Sequence, residues 1–161
     1  MATIFLALGS NIDDTKKAIE SAVGLLSEKI SDIQRAPLYR SKAMYHSNQA
    51  DFTNTVIAGK TDLVPAELLV FVKEAENKGG RIERFRNGPR EIDIDILLYD
   101  DQIIQTPELS IPHERMHERI FVLKPLVDIA PSVMHPVLHK TIRQLLKELP
   151  EDTADELQLL S

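Results

Sequence analysis

The segment Arg84–Asp100, RFRNGPREIDIDILLYD, places three arginines ahead of a strand-like run with aspartates at alternate positions. In a β-strand, residues i and i+2 project to the same side, about 6.6–6.8 Å apart. Glu91, Asp93 and Asp95 therefore share one face, and Ile92, Ile94, Ile96 and Leu98 the other. The acidic face turns apolar at Leu97 and Tyr99, as at the rim of a pocket and unlike a uniformly solvated surface.

Upstream, Thr3 to Leu8 reads as a first strand, closed by the turn residues Gly9, Ser10 and Asn11. From Asp13 or Asp14 the spacing becomes helical, with Ala18, Ile19, Ala22, Val23, Leu26 and Ile30 on one face. ISDIQRAPLYRS (residues 30–41) and DFTNTVIAGKTDL (51–63) read as two more strands, with the polar loop KAMYHSNQA between them. Pro65 opens a second helix with an apolar stripe at Leu68, Leu69, Val72 and Ala75, ended by Gly79 and Gly80. With the aspartate strand, the order is β-α-β-β-α-β. That order predicts an α+β, ferredoxin-like core: an antiparallel sheet with helices on one face and the other face free to be a site. Beyond residue 100, helical segments at Pro112 to Val122 and Thr141 to Leu149, then an acidic tail, complete what is expected to be a single domain over residues 1–161.

Composition narrows the function. Apolar residues make up 43% and charged residues 27%, as in ordinary globular proteins. A net charge of −6 argues against a nucleic-acid binder with a broad basic surface. Yet Arg81, Arg84, Arg86 and Arg90 face only Glu83 within one decade of sequence, which suits a small anionic ligand. The absence of cysteine excludes disulfides and thiolate metal sites. MATIFLALGS lacks the basic start of a secretion leader, and no apolar run is long enough to span a membrane. A cytoplasmic monomer with no membrane and no nucleic-acid partner is expected.

Two carboxylates on one strand face repel, and a cation between them removes the penalty. Hard oxygen donors favour Mg²⁺, and two such ions about 3.5–4 Å apart can clamp a phosphoryl chain. Taken alone, the spacing fits equally well an exposed strand face in ordinary salt bridges to nearby arginines. The neighbouring loop favours the first reading, because guanidinium groups match phosphate oxygens in bidentate fashion. No G-x-x-x-x-G-K-[ST] phosphate loop occurs. Residues 113–117, HERMH, match the zinc-protease pattern H-E-x-x-H, with His113 and His117 as ligands and Glu114 as base. Pro112 puts them in a first helical turn, their flanks are charged and no third ligand is patterned, so an amphipathic segment with Met116, Ile120 and Leu123 inward is preferred.

ALGSN at the end of the first strand, NGPREIDIDIL and IPHERMHERIFVLKPL together resemble the 6-hydroxymethyl-7,8-dihydropterin pyrophosphokinases of folate biosynthesis, from Ile4 to about Leu146. The resemblance implies transfer of pyrophosphate from ATP to the pterin's hydroxymethyl oxygen, giving AMP. It implies that Asp93 and Asp95 hold two Mg²⁺ ions, with Asp95 also near the attacking hydroxyl. Arg81 and Arg90 would neutralise the transferred group, Arg86 would assist from a loop, and His113 and Arg119 would hold ATP phosphates. Glu76, Ile96 and Ser110 would surround the nucleoside. Phe52 and Phe121 would sandwich the pterin, Asn54 would bond its polar edge, and backbone groups of residues 41 to 44 (Ser41, Ala43, Met44) would add contacts. Independently, a flat heteroaromatic ring asks for two π-faces and one amide, although plain core packing also explains the two phenylalanines.

The sequence departs from the usual family pattern at Lys73, Asn87, Glu108, Phe52 and in SKAM after the second strand. Loops 42–51 and 79–90 are expected to close over both substrates. Two other classes, a zinc protease and a non-catalytic ferredoxin-like binding module, differ in their products: only the kinase makes AMP when given ATP and pterin.

Overall fold

The computed structural model describes residues 1–12, 14–42, 51–78 and 92–160. Ala43, Met44, Arg81, Arg84, Arg86 and Arg90 lie outside these residues, as do all but the end residues of the expected closing loop 42–51 and the whole of the loop 79–90.

The first strand, β1 (Ala2–Ser10), sits between two antiparallel partners, β4 (Phe52–Thr61) and β5 (Asp93–Tyr99). Its run Ile4-Phe5-Leu6-Ala7-Leu8 is apolar on both sides because both faces of the sheet are covered. Helices α1 (Thr15–Leu26) and α2 (Pro65–Lys78) pack on one face, where Ile4, Leu6 and Leu8 meet Ile19, Leu26, Leu68 and Val72. Asp14 caps α1 by accepting from the Lys17 N–H at 3.1 Å. The expected β-α-β-β-α-β order and antiparallel sheet are thus observed, with two differences along the edges.

The stretch expected as one strand over residues 30–41 is two, β2 (Ser31–Arg35) and β3 (Tyr39–Ser41), which follow one another along β4. Pro37 has no N–H to give the ladder, so pairing lapses there. The Ala36 N–H still reaches the Val56 carbonyl at 3.0 Å and keeps the two pieces aligned. The acidic tail is not simply a tail: β8 (Leu157–Leu159) pairs with β3 and extends the sheet to the order β5-β1-β4-β3-β8.

The C-terminal helical segments lie on the opposite face, so that face is only partly free. α3 (Ile120–Ile129) and α4 (Ile142–Lys147) bury Val122, Leu123, Leu126, Ile142 and Leu145 against Phe5, Val56 and Ala58. The helix expected over Pro112 to Val122 is therefore displaced. The His113 N–H is committed to the Leu97 carbonyl at 3.0 Å, and only a 3-10 turn (Met116–Glu118) precedes Ile120. α3 runs on through Pro125, where burial of its neighbours outweighs one lost helical hydrogen bond. Between β5 and the 3-10 turn lies a two-stranded ribbon, β6 (Ile104–Gln105) and β7 (Ser110–Ile111).

Strict alternation along β5 also ends early. The register with β1 slips between Phe5 and Leu6, so that Leu97 is an extra residue opposite Phe5. Such a bulge turns two consecutive side chains to one face. Leu97 and Leu98 both enter the α3–α4 core, and Tyr99 returns to the α1–α2 core. Asp93 and Asp95, ahead of the bulge, keep the alternation expected of them.

Close backbone packing at Gly59 supplies a stability test. A Cβ there would sit 2.4 Å from Ile30 Cγ2 and 3.1 Å from the Ser31 carbonyl, whereas one at Gly24 in α1 would meet nothing. Gly59→Ala should cost about 1–3 kcal/mol in urea unfolding, and Gly24→Ala should gain about 0.5–1 kcal/mol. Equal effects would contradict the packing of β2 on β4.

Candidate active site

The site begins with two small residues. On the face carrying Phe5, β1 next presents Ala7 and then Gly9; Phe5 is buried in the α3–α4 core and Ala7 packs only partly against it. Register places Gly9 between Asn54 on β4 and Asp93 on β5, and Ala7 between Val56 and Asp95. Larger side chains at 7 and 9 would fill this space; instead it is a hollow of about 220 Å³. A Cβ on Gly9 would already lie 3.3 Å from Asn54 Oδ1 and 3.7 Å from Phe52 Cδ1.

Phe52 and Phe121, both half-buried, each line the hollow, so neither is simply a core residue. Asn54 is buried, and its Nδ2 donates to Ser41 Oγ at 2.7 Å, which fixes the amide and turns its Oδ1 toward Gly9. The Tyr39 hydroxyl donates to Asp128, tying β3 to α3 beside this wall. Burial, together with that carboxylate, pushes the tyrosine hydroxyl well above its usual range. Arg119 closes one end, its guanidinium 5.6 Å from the Phe121 ring centroid, within the range of a cation–π contact. Its Nε is buried without a hydrogen-bond partner among the described residues. A donor in that state is ready for an anion.

A second hollow, of about 250 Å³, lies along the outer edge of β5. Ile96, Ser110 and His113 line it, together with Lys73, Glu108 and Leu109. Asp95 lines both hollows. Asp93 and Asp95 thus offer hard carboxylate oxygens on one strand face at the junction. Among the described residues no group of three His, Asp or Glu gathers into an all-protein metal cage. Asp93 and Asp95 could hold Mg²⁺, a hard cation that takes one or two carboxylates and keeps water and phosphate oxygens.

His113 stands where the bulge leaves it. The Leu97 carbonyl holds its backbone, and its Nδ1 accepts from the Arg115 N–H at 3.3 Å. A neutral ring with Nδ1 accepting carries its proton on Nε2. Burial lowers the His113 pKa, the Asp95 and Glu114 charges oppose that, and Arg119 and Arg115 reinforce it. HERMH therefore does not form the single α-helix on which two zinc-binding histidines sit four residues apart.

Of the residues singled out from sequence, Ser41, Phe52, Asn54, Asp93, Asp95, Arg119 and Phe121 meet at the first hollow, and Asp95, Ile96, Ser110 and His113 at the second. Glu76 lines neither. It is buried in α2, where its Oε2 accepts the Ile94 N–H at 2.8 Å. Sequence reading missed Ala7 at the first hollow and Leu109 at the second. The small Ala7 and Gly9 at alternate positions in an otherwise bulky strand were the signal available.

The structure is thus an α+β fold with two hollows that share one carboxylate. A family model described as 7,8-dihydro-6-hydroxymethylpterin-pyrophosphokinase (HPPK) matches residues 5–131. The 2-amino-4-hydroxy-6-hydroxymethyldihydropteridine pyrophosphokinase of Aquifex aeolicus is 44% identical over 148 residues, 92% of each chain. That of Haemophilus influenzae is 36% identical over 157 residues, covering 96% of this chain and 95% of its own. Among solved structures, wild-type HPPK-DHPS of Plasmodium falciparum superposes with a TM-score of 0.72 at 19% identity, over 91% of this chain and 44% of that one. This last likeness is one of fold. The chain belongs to the HPPK family, as its three motif blocks implied.

With no divalent cation added, the His113 ring should titrate below the usual histidine value of about 6.5. Its folded pKa is depressed, so the stability it contributes is present above that unfolded value and is lost as pH falls toward the folded one. Asp95→Asn removes the charge that opposes the depression, so NMR should find the His113 pKa lower still. A rise would contradict the geometry.

Proposed function

We propose that the protein transfers pyrophosphate from ATP to 6-hydroxymethyl-7,8-dihydropterin, giving the pterin pyrophosphate and AMP in folate biosynthesis. The observation that carries this reading is the position of Asp95, shared by an aromatic-walled hollow and a second hollow along the edge of its own strand. The first suits a flat pterin: Phe52 and Phe121 stack on its faces, and Asn54, held by Ser41, bonds its polar edge. The second suits the nucleotide, with Ile96 and Ser110 toward the nucleoside and His113 toward the phosphates.

In the reaction the hydroxymethyl oxygen attacks the β-phosphorus and loses its proton. The bond from that phosphorus to the bridging oxygen of the α-phosphate breaks, and AMP leaves with that oxygen. The nucleotide supplies the leaving group, so the protein's task is placement and neutralisation of charge. Two Mg²⁺ ions held by Asp93 and Asp95 would supply neutralisation of the triphosphate and polarisation of the transferred group. His113 donates from Nε2 to a phosphate oxygen, and Arg119, which closes one end of the first hollow, adds positive charge for the phosphates as the resemblance implies. Arg81 and Arg90 act on the transferred group and Arg86 assists, as the resemblance implies. Asp95, beside the attacking hydroxyl, eases its deprotonation without a dedicated histidine base, which agrees with a His113 ring held weakly basic by burial. Backbone groups near Ser41, Ala43 and Met44 complete the pterin contacts, and the loops at 42–51 and 79–90 exclude water. The protein works as a one-domain monomer in the cytoplasm; no helix among the described residues is long and apolar enough to cross a membrane.

Chromatography of nucleotide products tests this directly. AMP should appear only with pterin present, and Asp95→Ala should lower turnover by about 10²–10³-fold or more while leaving the fold intact. Gly9→Val should instead raise the pterin KM about tenfold or more with little change in the ATP KM. Release of ADP, or an active Asp95→Ala variant, would refute the assignment.

A further inference from the structure

Among the described residues the strand that carries both aspartates lies at the end of the sheet order, so half of its backbone groups face away from β1 and no described strand pairs them. Exposed edge groups need partners once they are buried, and they get them from side chains or loops where no strand is available. The Ile94 N–H is such a group, because Ile94 is buried and stands between Asp93 and Asp95. Its partner is Glu76 Oε2, at 2.8 Å. Glu76 is 2% exposed, an unusual place for a carboxylate, and its second oxygen lies 3.4 Å from Lys73 Nζ, one helical turn back along α2. Lys73 itself lines the second hollow.

We propose that Glu76 is a positioning residue for the cation-binding carboxylates: it pins β5 at the one residue between them. This rests on the assignment of Asp93 and Asp95 as cation ligands made above. A carboxylate buried this deeply is costly unless it is hydrogen-bonded and paired. Here its two oxygens are used in different directions, one on the strand and one on a lysine at the rim of the nucleotide hollow. The strand cannot slide or lift at Ile94 without breaking that bond, so Asp93 and Asp95 keep a fixed separation and aim. Groups that orient metal ligands in this way typically change metal affinity by about 10–100-fold when removed. The family resemblance implied a place for Glu76 around the nucleoside, and Glu76 does not line the second hollow.

The test separates the hydrogen bond from the charge. Glu76→Gln keeps an oxygen at the right reach and loses the charge. Glu76→Asp keeps the charge and draws the oxygen back by about 1.5 Å, one carbon–carbon bond. Mn²⁺ binding is followed by electron paramagnetic resonance with a non-hydrolysable ATP analogue, and circular dichroism confirms that each variant is folded. Calorimetry of the analogue without divalent cation reports the nucleotide contact separately. Glu76→Gln should bind Mn²⁺ close to wild type, Glu76→Asp should bind about 10–100-fold more weakly, and metal-free nucleotide affinity should be unchanged in both. The reverse order, or two variants equal to wild type, would overturn the positioning role. Loss of metal-free nucleotide affinity would return Glu76 to the nucleoside. Asp95→Ala is the control: if it binds Mn²⁺ like wild type, the cation assignment itself fails, and this inference with it.

Discussion

On the face of the sheet that carries the site, β1 presents Phe5, Ala7 and Gly9 in turn, and this decline in side-chain size is the constraint on which the rest depends. Where the side chain is large, α3 and α4 close over it and make a core. Where it is small, the helices have nothing to pack against and the sheet stays open. Because β1 is flanked by β4 and β5, the open patch is bordered by whatever those strands hold at the same level. Those residues are Asn54 on one side and Asp93 and Asp95 on the other. Phe52, the amide and the carboxylates are therefore brought to this face by strand register, and Phe121 joins them from α3. A one-residue slip of β4 would turn Phe52 and Asn54 to the α1–α2 core, and one of β5 would do the same to Asp93 and Asp95.

The second hollow follows from the edge position of β5. An unpaired strand edge must be covered, and three different devices cover this one. Glu76 takes an N–H ahead of the bulge, the Leu97 carbonyl at the bulge takes the His113 N–H, and the β6–β7 ribbon brings Ser110 alongside. What remains between them is the space that Ile96 and His113 line. Cover and site are thus made by the same residues. The bulge that spoils the strand's alternation also supplies the carbonyl that fixes the histidine.

Much of this was legible in the sequence, and the limits are instructive. The D-x-D spacing gave the shared face of Asp93 and Asp95, because a period of two survives any tertiary context up to an irregularity. It failed at Leu98 and Tyr99, since a bulge inserts one residue without altering composition. The helix periodicities of α1 and α2 were clear, whereas α3 was misplaced because Pro112 resembles a helix start and the His113 backbone is claimed by a distant carbonyl. Of the residues the family resemblance named, Phe52, Asn54 and Phe121 line the first hollow and His113 the second. Glu76 did not, because helical spacing puts it on the buried side of α2 along with Leu68, Val72 and Ala75. No local pattern announces that a carboxylate there has a backbone partner 18 residues away. The opening of the sheet at Ala7 and Gly9 could have been read from two small residues in a bulky strand.

The account turns on whether the pair of aspartates on β5 grips the nucleotide through divalent cations at the junction of the two hollows. A crystal structure with Mg²⁺, a non-hydrolysable ATP analogue and the hydroxymethyl pterin measures this most directly. Carboxylate oxygens of Asp93 and Asp95 should lie about 2.0–2.1 Å from the ions, with the pterin between Phe52 and Phe121 and its hydroxyl facing the β-phosphorus. A triphosphate bound with both carboxylates turned away from any cation, or a pterin lodged outside the hollow over Ala7 and Gly9, would contradict it.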